Sequence, residues 1–153
     1  MLALPDISVP PSGEDVHSAL ERICSSPPFG TSPKLTSFLR FVVETTLSGR
    51  GHRLKGYTVG VEALGRGENF NPQLDPIVRV EAIRLRTALA RYYSGAGCRD
   101  PLVIEMPRGH YVTHFRWREP RAGPRAPNLV QAIRQLRRFL DIRVILQAPP
   151  NPR

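Results

Sequence analysis

Arg79, Arg84, Arg86 and Arg91 fall within one short stretch, and Arg108 stands just before Gly109-His110 further along the chain. An arginine carries a planar, permanently charged fork of donors that meets phosphate oxygens or a guanine edge two bonds at a time. Arginines at this density suit a polyanion, and their chemistry is recognition rather than bond making. If the stretch is helical, Arg79, Ile83 and Arg86 share one edge, and Val80, Arg84, Thr87 and Arg91 share the next. In a major groove, Arg84 would fork onto a guanine, whereas Arg79, Arg86 and Arg91 suit phosphates. Arg108, in a tight turn with His110 beside it, would reach beyond its hairpin to phosphate or minor groove. The bland alternative is a solvated helix face whose arginines pair with Glu81 and Glu105. That alternative wins for a lone helix and loses once the basic hairpin is added.

Catalytic chemistry has little to stand on. His17, His52, His110 and His114 are scattered, and the last two could share a strand face without an evident third ligand, so no metal site is expected. Gly65-Arg66-Gly67 lacks the spacing and the following Lys-Ser/Thr of a phosphate-binding loop. No Ser/His/Asp or Cys/His grouping has a supporting context. A protein that is not an enzyme and needs no cofactor is expected.

The elements that position the arginines follow from periodicity. Val16, Ala19, Leu20 and Ile23 predict a short helix over 14–25. Ser32-Pro33 is a cap followed by a proline at the first helical position, and Leu35, Phe38, Leu39, Val42 and Thr46 then trace one face up to a stop at Gly49. A shorter helix is predicted over 55–64 with Val61 and Leu64 inward, followed by a loop. Asp75-Pro76 repeats the cap-then-proline logic, and Val78, Ala82, Leu85, Leu89 and Tyr92 step by four and three as the buried stripe. A strand over 101–106, a turn at Arg108-Gly109-His110 and a return strand over 111–117 predict a β-hairpin.

Sixteen prolines among 153 residues gather toward the two ends. Residues 1–13 are therefore expected to be disordered, 119–127 to be a stiff linker, and 128–153 to form a basic amphipathic helix and tail. The net charge of +9 is uneven: residues 1–78 carry seven basic and eight acidic side chains, 79–118 carry eight against three, and 119–153 carry seven against two. Such asymmetry implies a basic face. Cys24 and Cys98 form no CxxC, which fits a reducing compartment. No apolar run nears the roughly 20 residues that span a bilayer, and MLALPDISVPP lacks a basic leader, so a cytoplasmic protein is expected.

The strings VRVEAIRLRTAL and IEMPRGHYV resemble the OmpR/PhoB-type winged-helix output domain of bacterial regulators, which carries V-x-V-x-x-x-R-L-R-x-x-L and R-G-x-G-Y. Val78, Val80, Arg84, Leu85, Arg86 and Leu89 match the helix pattern, and Arg108, Gly109 and Tyr111 match the hairpin pattern. FLRFVVETTLSG, LKGYTVGVEALGR, FNPQLDPIVRVEAIRLRTALARYY and PLVIEMPRGHYVTHF are more closely similar to N-terminal winged-helix domains of proteobacterial and acidobacterial proteins with tetratricopeptide or cyclase regions. This likeness runs over about residues 35–115. It implies an α+β winged helix, a three-helix core with a C-terminal hairpin wing; together with the N-terminal helix read from its spacing the domain is expected over 14–118, and the further helix beyond the linker is likewise expected from its spacing. It also implies duplex-DNA binding and transcriptional regulation. The chain departs from the pattern in having a helix at 14–25 where the OmpR type has a sheet, in Arg79 at a commonly acidic position, and in a wing shortened at His110-Tyr111. The expected contacts are Arg79, Val80, Ile83, Arg84 and Arg86 on the helix, with Arg108 and His110 on the wing. The alternative is a protein-interaction scaffold, with a homodimer or protein partner docking through 128–146, or a shortened form of a longer sensor.

Overall fold

A computed structural model describes residues 9–119. The expected linker, the C-terminal helix and the docking segment 128–146 lie outside the described residues. The chain is a mixed α+β arrangement, with helices α1 (Gly13–Ser25), α2 (Pro33–Leu47), α3 (Gly56–Thr58) and α4 (Ile77–Ser94) followed by strands β1 (Leu102–Glu105) and β2 (His114–Trp117).

Helix α1 begins where a capping box fixes it: Asp15 N–H donates to Ser12 Oγ at 3.2 Å, and Ser12 N–H donates back to Asp15 Oδ2 at 3.0 Å. The Ser12 hydroxyl, which donates to Asp15 Oδ2 at 2.6 Å, and then the Ser12 N–H hold the Asp15 carboxyl below its ordinary value. Val16, Ala19, Leu20 and Ile23 are buried on one face, as their spacing predicts. Of the stretch expected to be disordered, residues 9–13 are described: Trp117 Nε1 donates to the Val9 carbonyl at 2.6 Å, and Gly13 is already helical.

Helix α2 starts at Pro33 as expected, although the Ser32 side chain makes no cap bond. Leu35, Phe38, Leu39, Val42 and Val43 enter the core, and Gly49 ends the element at φ +71, a conformation open to glycine at little cost. Arg40 bridges to Glu21 and so ties α2 to α1.

The next helix differs from its expected form. After the single α-turn of α3, residues Val59–Ala63 widen into a π-helical turn. The wider turn shifts which side chains face inward, so Val59 and Gly60 are buried, while Val61 and Leu64 are only half-buried. Gly60 lies so close to Phe70 that a Cβ there would sit 2.2 Å from the ring.

Helix α4 starts one residue later than the cap-then-proline pattern predicts. Pro76, at ψ 6, is the last residue outside the helix, while Asp75 Oδ1 still accepts from Ile77 N–H at 3.0 Å. The stripe Val78, Ala82, Leu85, Leu89 and Tyr92 is buried as expected. Near its end, Tyr93 Oη accepts the Ile104 N–H at 2.7 Å and fastens α4 to β1; burial pushes its hydroxyl up to about 12.

The two strands pair antiparallel, with Leu102 opposite Trp117 and Glu105 opposite His114. Each is shorter than expected, and the connection is a loop over 106–113, not a tight turn. Pro107 has no N–H for a ladder, and Thr113 N–H donates to Thr46 Oγ1 on α2 at 3.3 Å. Tyr111 leans on Phe38, with ring centroids 6.2 Å apart. The return segment therefore follows α2 before it pairs with β1. Among the described residues no helix is long and apolar enough to cross a membrane.

Candidate nucleic-acid interface

The buried stripe of α4 turns the opposite side of the helix to solvent. Ile83 stands there 63 % exposed and Val80 44 % exposed, large apolar side chains left on a surface rather than in the core. Ile83 and Thr87 border two recesses at once, so they form a crest with a hollow on either side. The hollow toward the hairpin has a volume of about 600 Å³ and is lined by Arg79, Arg86, Arg108, Gly109, His110 and Tyr111 beside the crest. The hollow toward the start of α2 measures about 420 Å³ and is bordered by Ser32, Leu35, Arg84 and Arg91.

The structure thus brings Arg79, Ile83, Arg86, Arg108 and His110 around one recess, although the two hairpin residues lie more than twenty positions downstream of these three helix residues. Arg84 faces the other recess, and Val80 is exposed on the helix without bordering either.

The arginines differ in what they touch. The Arg79 and Arg108 side chains are exposed and make no hydrogen bond or ion pair with another described residue. Arg84 Nη1 lies 3.0 Å from Glu81 Oε1; the arginine side chain is 67 % exposed and the glutamate 4 %. The Glu81 side chain is buried, with Arg84 as its counter-charge. Arg86 reaches the hairpin loop: its Nε donates to the Met106 carbonyl at 2.9 Å, and its Nη2 donates to the carbonyls of Pro107 at 3.0 Å and His110 at 3.1 Å. Burial holds the Arg86 guanidinium below the usual arginine value; Tyr111 opposes that shift and Arg108 adds to it. Arg86, expected as a DNA contact, turns three of its donors toward backbone carbonyls within the protein.

Sequence reasoning named Glu81 as an arginine partner on a solvated face; what it missed is that the Glu81 side chain is buried. Ser32, read as a cap, borders the second recess with Arg91. His110 and His114 stand with ring centroids 5.7 Å apart. No group of three or more His, Cys, Asp or Glu side chains among the described residues could hold a metal ion.

Cations on both sides of an apolar ridge are a chemistry that suits an elongated polyanion. The crest offers methyl groups, and arginines line the recesses on both sides of it. Comparison of the chain with protein-family models, curated proteins and solved structures finds no match in any of the three.

Proposed function

We propose that this chain is a winged-helix protein that binds double-stranded DNA and regulates transcription, with α4 as the recognition helix and the loop over 106–113 as the wing. The observation that carries this reading is the exposed crest of α4 flanked on both slopes by arginine-bordered recesses. A helix in the major groove, about 12 Å wide, meets bases along its crest and a phosphate backbone on each side. Arg79 and Arg91 suit the phosphates. Arg84 suits a guanine edge, since a guanidinium has five N–H donors and one bond to Glu81 leaves a fork over. Ile83 and Val80 suit thymine methyl groups. Arg108 and His110 suit the backbone or minor groove beside the helix. On this reading the protein works in the cytoplasm, on the duplex itself.

Fluorescence anisotropy of a labelled mixed-sequence duplex, measured over a salt series, tests the proposal. Four or five phosphate contacts give a plot of log K against log salt with a slope of about −4. Arg108→Ala reduces that slope by about one, and Arg84→Ala weakens binding to a selected site by about 1–3 kcal/mol. Absence of binding even at low salt overturns the proposal and favours a protein partner.

A further inference from the structure

We infer that Arg86 is a positioning residue that latches the hairpin loop to α4, so that Arg108 and His110 meet the duplex in fixed register with the helix. This role rests on the DNA-binding reading above, but its structural half stands without DNA. The three carbonyls held by Arg86 belong to Met106, Pro107 and His110. The last two bracket Arg108-Gly109, so the latch closes on both sides of the loop tip. The bracketed segment is one that strand pairing does not hold, because the ladder ends at Glu105 opposite His114. Gly109 turns the tip at φ +91, and a second tether at Thr113 holds the far end of the loop to α2. Without Arg86, the tip would hang between the strand end and Thr113 with carbonyls facing an open recess.

Arginine suits the task for a geometric reason. Its planar guanidinium presents donors in fixed directions, and here they span carbonyls at both ends of a turn. A lysine ammonium keeps the charge but is a compact point donor on a flexible stem, so it cannot hold all three in the same arrangement. Contact with DNA is the competing role, and the donor geometry argues against it. The three N–H bonds to backbone leave at most two of the five donors, on a guanidinium that is itself part-buried. The neighbouring Arg79 and Arg108 are exposed and better placed to meet phosphates.

The test compares Arg86→Ala and Arg86→Lys in the full chain, after circular dichroism has established that each folds. Without DNA, limited trypsin digestion read by mass spectrometry follows cleavage after Arg108. A released tip gives cleavage at least about tenfold faster in both variants. Unchanged cleavage in Arg86→Ala overturns the latch, whatever the protein binds. With duplex, a double-mutant cycle pairs each Arg86 variant with Arg108→Ala. If Arg86 acts through the loop, Arg108→Ala weakens binding about tenfold in the wild-type background and less than about twofold when Arg86 is alanine or lysine. An equal loss in all backgrounds, or full binding by Arg86→Lys, makes Arg86 an independent cationic contact and overturns the positioning role. Failure of the wild type to bind duplex, with accelerated cleavage in the variants, removes the DNA reading and the positioning role with it, leaving a structural latch.

Discussion

Arg84 and Arg79 lie five positions apart on one helix and differ in what their loss does to the fold. Arg84 neutralises Glu81, whose side chain is 4 % exposed. Truncating Arg84 leaves a buried carboxylate without its counter-charge. Because the arginine itself is largely in solvent, the expected cost is about 1–2 kcal/mol, nearer a charged hydrogen bond than a fully buried ion pair. Arg79→Ala removes an exposed cation with no described partner and changes stability by less than about 0.5 kcal/mol. Urea denaturation of the two variants checks this, and equal stabilities contradict the assignment of Glu81 to Arg84. At this scale the sequence disclosed which residues were charged and which shared a helical edge. It did not disclose that Arg86 would find three carbonyls, since that contact joins segments twenty or more residues apart. Long flexible side chains choose partners from the tertiary surroundings, which periodicity does not describe.

The elements that read most clearly are those whose burial follows a regular turn. In α1, α2 and α4 the spacing of apolar residues matches the buried faces because each is a regular helix against one core. The element between α2 and α4 departs because its π-helical turn at Val59–Ala63 changes the angular step, so Val59 and Gly60 face inward where Val61 and Leu64 were expected. The reason is steric as well as geometric, since Gly60 admits the Phe70 ring against its backbone. Gly60→Ala adds a methyl group where a Cβ would meet that ring at 2.2 Å, so the ring or the turn must shift. A destabilisation of about 1–3 kcal/mol is expected, visible as a lower urea midpoint with an unchanged slope. An unaltered midpoint contradicts this packing. The hairpin was legible as two strands and a glycine turn but not in its width. Alternation runs on through Tyr111 and Val112, yet Tyr111 packs on Phe38 of α2 and Val112 lies beside Gly51, and neither pairs with β1.

The excess positive charge of the described part of the molecule begins at α4: residues 79–118 hold eight basic side chains against three acidic, whereas 1–78 are close to balanced. That asymmetry was readable from the sequence, and the fold gathers part of it along one exposed crest and its two slopes. Long-range attraction from such a face speeds encounter with a polyanion and weakens with salt, while the side chains nearest the bases set selectivity. The central claim is that the crest of α4 and the hairpin loop meet one duplex together. Backbone amide chemical shifts of the isotope-labelled protein, followed by NMR as a mixed-sequence duplex is added, test it most directly. The largest changes should fall at residues 79–91 and 107–111, growing together along a single titration curve. Changes confined to another surface, or to the helix with the loop unaffected, contradict the account.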